Sequence, residues 1–246
     1  MKTFLAFLLV IVGLASYMVL ALAFGFFQHY PVVHYLLALG GIAWLVALLR
    51  QRFTWLRVVA LSFGALMTAA FFYWTLVGSA YEEREHKAAA GEVLAELPSL
   101  ELPNAAGVPT RLFTGKERAT LLVFYRGFWC PFCQQELVQL QRSLAEFEKR
   151  NIRVVAISVD QPEKLLVMKN AAGAGFEFVS DPEGRLLDRL DVRHVGGTPE
   201  GGDTAQSASF LIAPDGRILW RKLAANYRVR PEPKEVLAAI DALPPA

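Results

Sequence analysis

Hydrophobic positions follow two different patterns along the chain. Three long apolar stretches fill the first 80 residues, and none contains Asp, Glu, Lys or Arg: 4–27, 31–49 and 58–78. A helix needs about 20 apolar residues to cross a hydrocarbon core about 30 Å thick. The pattern predicts a membrane domain over 1–80 with three transmembrane helices. A soluble helical core is the alternative for all three stretches, and a cleaved signal peptide is the alternative for the first.

After residue 80 the pattern changes to shorter segments. Residues 81–97 are rich in helix formers, so we predict a helical stalk, or linker, that ends near Pro98. Beyond it the periodicity predicts strands and helices in alternation. The predicted strands are 110–113, 121–125, 154–159, 176–179, 209–213 and 217–222, and the predicted helices are 134–149, 163–170 and 234–242. This order indicates an α/β domain over 98–246 with a central mixed sheet flanked by helices.

The charge distribution supports the same division. Hydrophobic residues make up 54% of the chain, and its 25 Lys and Arg against 23 Asp and Glu give a net charge of +2. Residues 1–81 hold four basic residues and no acidic one, which leaves 21 basic and 23 acidic residues, a net of −2, for 82–246. This balance excludes the concentrated basic face of a nucleic-acid-binding protein.

The four basic residues also predict an orientation. Lys2 precedes the first stretch, and Arg50, Arg52 and Arg57 lie between the second and third. The positive-inside rule places these residues in the cytoplasm. Three crossings then deliver the α/β domain to the other side, which in the inner membrane of a bacterium is the periplasm.

The candidate chemistry lies in the only two cysteines of the chain. Cys130 and Cys133 form a C-x-x-C pair directly after the strand 121–125 and at the start of a helix. Free N–H groups and the dipole at a helix N-terminus favour a thiolate, and Pro131 suits the first helical turn. We therefore predict that Cys130 attacks and that Cys133 resolves the resulting mixed disulfide.

A zinc site and a structural disulfide are the alternative uses of the cysteine pair. A zinc site needs about two further Cys or His ligands, and beyond residue 81 only His86 and His194 are available, without paired spacing. A structural disulfide closing so short a loop adds little stability. We expect a redox-active Cys130–Cys133 disulfide with no metal and no other cofactor.

The residues around the pair resemble a known family. Residues 124–137, with the sequence FYRGFWCPFCQQEL, resemble the active-site segment of the thioredoxin-like redoxins. More narrowly, they resemble the peroxiredoxin-like branch of the alkyl hydroperoxide reductase/thiol-specific antioxidant superfamily. Four further segments support the resemblance: 157–160, 180–184, 210–216 and 226–231. It implies a thioredoxin-like fold over about 98–246, with an active-site loop that includes Arg126, Trp129, Pro131 and Phe132.

The chain departs from the family at two positions. Thioredoxins usually have a cis-proline, and peroxiredoxins often an arginine, where this chain has Ser207, followed by Ala208; both residues are candidates for a loop that faces the cysteines. Peroxiredoxins also place threonine three residues before the peroxidatic cysteine, where this chain has Cys130. These departures weigh against client-peptide docking and against fast peroxide chemistry.

Arg126 is interpreted either as a cation that holds the thiolate or as a solvated loop residue, and Trp129 as a packing wall beside the sulfur.

Three functions remain open at this point. The first is a membrane-anchored thiol–disulfide oxidoreductase outside the cytoplasm, exchanging disulfides with a protein client and a separate thiol reductant or oxidant. The alternative is a peroxiredoxin-like thiol peroxidase that reduces hydroperoxides. The third is a non-enzymatic anchor that carries a vestigial redox domain.

Overall fold

The computed structural model describes residues 1–25, 31–82 and 85–243. The chain divides into two compact units, Met1–Ala80 and Tyr81–Ala246. The division falls where the hydrophobic pattern of the sequence changes.

The first unit consists of three long helices: α1 (Lys2–Phe24), α2 (Val32–Gln51) and α3 (Trp55–Tyr73), the last continued by a π-helical turn, Trp74–Gly78. All three are long and apolar enough to cross a membrane. They coincide with the three predicted stretches within a few residues, except that residues 26 and 27 lie outside the described part of the chain.

Close backbone approach holds α1 against α2. A Cβ atom built on Gly41 of α2 would lie 2.8 Å from the carbonyl oxygen of Ala6 and 2.9 Å from the amide nitrogen of Val10, both in α1. Small residues at such positions let helices pack tightly where no water drives them together. The glycine therefore sets the spacing of the two helices.

The second unit is built on a five-stranded sheet with the order β5-β4-β3-β8-β9. Its strands are β3 (Ala119–Phe124), β4 (Ile152–Ser158), β5 (Glu177–Ser180), β8 (Ala208–Ile212) and β9 (Ile218–Leu223). The pairs β3–β4 and β4–β5 are parallel, whereas β3–β8 and β8–β9 are antiparallel. The predicted central mixed sheet is therefore confirmed.

In the described part of the unit, two short hairpins and five α-helices complete the fold. The hairpins are β1 (Glu101–Pro103) with β2 (Pro109–Arg111), and β6 (Arg193–His194) with β7 (Thr204–Ala205). The helices are α4 (Pro131–Arg142), α5 (Leu144–Lys149), α6 (Pro162–Ala172), α7 (Arg185–Arg189) and α8 (Pro233–Asp241).

The central strand β3 positions the cysteines. All six of its residues are buried, because the strand has neighbours on both sides and its side chains pack into the core. Phe124, its last residue, packs edge to face on Phe210 of β8, with 5.8 Å between ring centroids. The strand end is thus held firmly, and a six-residue loop leads from it to α4.

The predicted helical stalk over 81–97 is wrong. The described residues of the segment 81–96 form no helix, and a 3-10 turn, Leu97–Ser99, follows. The segment lies along β9 instead: the Gly91 N–H donates to the carbonyl of Ile218 at 2.8 Å, and Leu94 and Leu97 are buried in the core. Burial of these leucines outweighs the helix propensity of their neighbours, because propensity contributes only a few tenths of a kcal/mol per residue.

Helix 134–149 was predicted as one element, but the structure has two. It begins earlier, at Pro131, and breaks at Ser143, whose backbone φ and ψ of −102° and 2° are not helical. Helix α7 and the hairpin β6–β7 were not predicted, because elements of five and two residues are too short for a periodic signal.

The β8–β9 turn offers a test of the docked 81–97 segment. Gly216 has φ +87°, and a Cβ there would overlap the carbonyl of Leu94. Gly107 has φ +76° with nothing within 4 Å of its Cβ position. We expect Gly107→Ala to lower the free energy of unfolding by about 1 kcal/mol, from backbone strain alone. Gly216→Ala should lower it by about 3 kcal/mol, because the overlap adds to the strain.

Hydrogen exchange of the β8 and β9 amides, measured on the full chain in detergent micelles, reports both changes. Equal effects of the two substitutions would mean that Leu94 does not pack against this turn.

Candidate active site

The two cysteines lie at the start of α4. Cys130 is the N-cap residue, Pro131 begins the helix in an exposed position, and Cys133 is one turn further on. Both are free thiols and both are buried, with 2% and 0% of their surface exposed. The backbone N–H of Cys133 points at the sulfur of Cys130 from 3.4 Å.

A buried arginine lies against the second sulfur. Arg230, from the loop between β9 and α8, places its Nη2 3.2 Å from the Sγ of Cys133 and 4.0 Å from that of Cys130. The backbone N–H of Arg126 approaches Cys133 Sγ from the other side, at 3.4 Å. Two donors from different parts of the chain, the Arg230 guanidinium and the Arg126 N–H, therefore converge on Cys133.

Glu136 fixes the direction of this arginine. Its Oε2 lies 2.7 Å from Arg230 Nε, and both side chains are almost fully buried, with 4% and 3% exposed. Burial and, to a smaller extent, a negative charge on Cys133 raise the pKa of Glu136 to about 8, although the charge of Arg230 opposes the rise. Burial therefore disfavours a negative charge on Glu136, which leaves more of the guanidinium charge to the sulfur.

The two thiols have opposite tendencies to ionise. Burial raises the pKa of Cys130 well above its usual value, and its hydrogen bond to Cys133 adds to the rise. Burial also opposes ionisation of Cys133, but the hydrogen bond from Cys130 and the charge of Arg230 outweigh it and lower the pKa of Cys133 to about 5. The structure corrects the expectation that Cys130 carries the acidified sulfur, because the nearby cation selects Cys133.

Arg126 fits neither of its predicted interpretations. Its side chain is buried rather than solvated, and its Nη2 donates to the carbonyl of Gly197 at 2.7 Å. The guanidinium lies 4.7 Å from the ring centroid of Trp129 and 4.3 Å from that of Tyr227. It therefore ties the active-site loop to the loop between β6 and β7. Trp129 provides a packing surface, as expected, but the group that packs on its ring is the guanidinium of Arg126.

Other contacts fix the same loop. The N–H of Phe128 donates to Asp160 Oδ2 at 2.8 Å, and the hydroxyl of Thr204 donates to the carbonyl of Arg126. Phe132 is buried, with 4% of its surface exposed. The loop between β3 and α4 is thus held at several points along its length.

Ser207 and Ala208, the candidates for a facing loop, lie next to the end of β3 that leads into the active-site loop. Ala208 pairs with Phe124 at the end of β3. The N–H of Ser207 donates to the hydroxyl of Tyr81 at 3.1 Å, and the Ser207 hydroxyl lies 3.3 Å from the same oxygen. Burial raises the pKa of Tyr81, while the charge of Arg230 opposes the rise. The backbone amide of Ser207 is therefore already occupied by a protonated tyrosine.

Three residues of the site were missed by sequence reasoning: Glu136, Arg230 and Tyr81. Glu136 follows Cys133 at i+3, so the two lie on one face of a helix, which is a readable signal. Arg230 lies in the segment 226–231, which carried part of the family resemblance. Tyr81 had no such signal, because it was assigned to the stalk.

A mixed sheet whose central strand leads to a C-x-x-C pair, with one buried thiolate beside a cation, defines a thioredoxin-like thiol oxidoreductase. Comparison with known proteins gives the family. Residues 93–221, more than half of the chain, match the AhpC/TSA family, and the chain belongs to it.

Curated relatives of this chain are peroxiredoxins. A Mycobacterium tuberculosis protein provisionally named as a peroxiredoxin, Rv2521, is 29% identical over 136 residues, which cover 54% of this chain and 83% of that protein. Peroxiredoxin Bcp of Escherichia coli is 28% identical over 125 residues, which cover 49% and 78%. The chain is thus a thiol-dependent redox enzyme, as its sequence predicted.

Solved structures agree on the fold. Peroxidoxin BcpB from Mycobacterium tuberculosis aligns with a TM-score of 0.52 and 22% identity, over 59% of this chain and 94% of that one. A cysteine-to-serine mutant of PrxQ from Xylella fastidiosa aligns with a TM-score of 0.53 and 24% identity, over 63% and 96%. The predicted thioredoxin-like fold is confirmed.

The role of Arg230 can be tested on the thiol itself. Arg230→Gln removes the cation beside Cys133, so we expect the pKa of that thiol to rise by about 2 units. Absorbance of the thiolate near 240 nm, followed against pH in the reduced full chain, gives the midpoint.

Arg217→Gln is the matched control, because it removes an exposed positive charge from the β8–β9 turn. An unchanged midpoint in Arg230→Gln would show that the guanidinium does not hold the thiolate.

Proposed function

We propose that this chain is a membrane-anchored thiol peroxidase that reduces hydroperoxides, with Cys133 as the attacking thiolate and Cys130 as the resolving thiol. The observation that carries the proposal is the guanidinium of Arg230, 3.2 Å from Cys133 Sγ in a buried site. Membership of the AhpC/TSA family and the peroxiredoxin relatives support the same reaction.

The reaction begins at Cys133. Its thiolate attacks one oxygen of the hydroperoxide, so that an S–O bond forms and the O–O bond breaks. The other oxygen leaves with the organic group and a proton as an alcohol, or as water from hydrogen peroxide. Cys133 is thereby oxidised to a sulfenic acid. Arg230 supports this step because its charge faces the oxygens on which negative charge develops.

Cys130 then completes the oxidation. Its sulfur attacks the sulfenic sulfur of Cys133, an S–S bond forms, and the hydroxyl leaves with the thiol proton as water. Residues three apart at the start of a helix have Cβ atoms about 5–6 Å apart, so modest local movement brings the sulfurs within bonding distance. A separate thiol reductant returns two electrons and two protons to the disulfide. Electrons therefore pass through the two sulfurs alone.

The first function predicted from the sequence, a thiol–disulfide oxidoreductase, is less well supported than the peroxidase. A protein client would bind most readily as an extended strand along a free backbone edge. The amide of Ser207 beside the site donates to Tyr81 instead, at 3.1 Å. The raised pKa of Cys130 also makes that sulfur a poor first nucleophile. The comparisons favour the peroxidase for an independent reason, since the relatives are named as peroxiredoxins.

We also propose where the enzyme works. Helices α1, α2 and α3 anchor it in the inner membrane of a bacterium, with the N-terminus in the cytoplasm and the redox unit in the periplasm. The length and hydropathy of the helices support anchoring, and the positions of Lys2 and the three arginines between α2 and α3 support the orientation.

Single cysteine substitutions separate the two roles. We expect Cys133→Ser to abolish reaction with hydrogen peroxide, because the attacking thiolate is gone. Cys130→Ser should consume about one peroxide per chain and then stop, because the sulfenic acid has no resolving partner. Stopped-flow peroxide consumption and mass spectrometry after dimedone labelling measure both results. A sulfenic acid found on Cys130 in Cys133→Ser would instead support the roles predicted from sequence, in which Cys130 attacks and Cys133 resolves.

The acidity of Cys133 predicts the pH dependence of the first step. A lowered pKa means that the thiolate persists as the pH falls until about 5. The rate constant for peroxide should therefore be level from neutral pH to about 6 and then fall about tenfold for each unit below 5. A single-turnover measurement on Cys130→Ser is unsuitable, because it removes a hydrogen bond that helps to set this pKa. The native chain should be used, and a midpoint near 8.5 would contradict the assignment.

A further inference from the structure

We propose that Arg126 and Tyr227 form a clamp that holds the guanidinium of Arg230 beside Cys133. Their side chains are positioning groups, because they act on the sulfur through Arg230. The inference rests on the proposed function, in which Cys133 is the attacking thiolate, and adds the residues that keep the neighbouring cation in place. Three observations carry it: the contacts that fix Arg126, its contact with Tyr227, and the turn that joins Tyr227 to Arg230.

Arg126 is a fixed point of the site. Its Nη2 donates to the carbonyl of Gly197 at 2.7 Å, its carbonyl accepts from the Thr204 hydroxyl, and its N–H approaches Cys133 Sγ at 3.4 Å. The residue is also shielded from water, with 9% of its surface exposed. Backbone and side chain are both held, so a group that packs on this guanidinium takes a defined position.

A glycine lets the active-site loop fold back onto the guanidinium. The central carbon of the Arg126 guanidinium lies 4.7 Å from the ring centroid of Trp129. A Cβ atom at Gly127 would lie 2.6 Å from Trp129 Nε1, so a glycine is needed to leave room for the indole. The active-site loop thus supplies one aromatic ring against Arg126, and a second ring comes from another part of the chain.

The second ring belongs to the loop that carries Arg230. The ring centroid of Tyr227 lies 4.3 Å from the Arg126 guanidinium. Attraction between a cation and an aromatic ring is strongest where water is excluded, and Arg126 is buried. This contact therefore joins the active-site loop to the loop 224–232, at a point three residues before Arg230.

A turn transmits the position of Tyr227 to Arg230. The N–H of Arg228 donates to Asn226 Oδ1 at 3.0 Å, and the N–H of Val229 donates to the Asn226 carbonyl at 3.3 Å. Arg230 Nη1 in turn donates to the Val229 carbonyl at 3.0 Å. Because these bonds tie consecutive residues to one another, the turn moves as one piece. A shift of Tyr227 therefore carries Arg230 with it.

The contacts close a ring through the reactive sulfur. The Arg126 N–H and Arg230 Nη2 both approach Cys133 Sγ, at 3.4 and 3.2 Å, and the ring of Tyr227 joins the two arginines. Glu136 directs the end of the Arg230 side chain, whereas the clamp fixes the loop from which that side chain starts. The distance from guanidinium to sulfur therefore depends on the clamp, and Coulomb attraction falls as that distance grows.

The test is a double-mutant cycle on the thiolate midpoint of Cys133, measured by absorbance near 240 nm in the reduced full chain in detergent micelles. Tyr227→Leu removes a ring and no charge. We expect it to raise the midpoint by about 1 pH unit, because the guanidinium is then less well placed. In an Arg230→Gln background the same substitution should change the midpoint by less than about 0.3 pH unit, since the cation that the ring positions is gone.

Two further variants sharpen the cycle. Tyr227→Phe is the matched control, because it keeps the ring against Arg126, and its midpoint should equal that of the native chain. Arg126→Lys keeps a charge but loses the planar guanidinium that packs on the ring, so its midpoint should rise as in Tyr227→Leu. This variant supplies the decisive measurement if Tyr227→Leu does not fold.

An unchanged midpoint in folded Tyr227→Leu, or in Arg126→Lys where the first variant does not fold, would overturn the inference. An equal rise with and without Arg230 would overturn it as well, because the effect would not pass through that guanidinium. So would an equal rise in Tyr227→Phe, because the ring would then not be the group that matters. Failure of the proposed function looks different: the native chain would not turn over hydroperoxide, whatever the midpoints of the variants.

Discussion

A buried cation beside a buried sulfur is the interaction on which the site depends. Cys133 and Arg230 are each shielded from water, and a lone charge in that position would be unfavourable by several kcal/mol. Each therefore stabilises the charge of the other. Glu136 completes the group by directing the guanidinium, while burial raises the pKa of its own carboxyl. The enzyme thus holds a reactive thiolate in an environment that would otherwise suppress it.

The fold delivers these three groups from different parts of the chain. Strand β3 and helix α4 bring Cys133 and Glu136 together as neighbours on one helical face, whereas Arg230 arrives from a loop 97 positions later. The sheet closes that distance, because β8 and β9 return the chain to the side of β3. The loop before α4 is bound to Asp160 and Thr204, so the sulfur meets a nearly fixed arginine.

The sequence was sufficient for features that local patterns carry. The strands β3 and β4, the C-x-x-C pair at a helix start, and the three apolar helices all depend on periodicity or spacing within a short window. Which of the two cysteines is the more acidic depends on Arg230. No local sequence pattern connects Arg230 to Cys133, so the sequence did not predict it. The same limit explains why the sequence did not predict Tyr81 as a site residue, because its partner Ser207 lies 126 positions later. The sequence predicted a helix around Tyr81 instead, and the burial of Leu94 and Leu97 prevents that helix.

The position of Cys130 has a consequence for survival under oxidative stress. A sulfenic acid that waits for its partner is exposed to a second peroxide molecule, which converts it to a sulfinic acid that ordinary thiols do not reduce. Here the partner stands one helical turn away, at the N-cap of the same helix. With the proposed roles of the two cysteines, this proximity would shorten the life of the vulnerable intermediate, and the enzyme would be suited to remain active where peroxide is abundant rather than to be switched off by it.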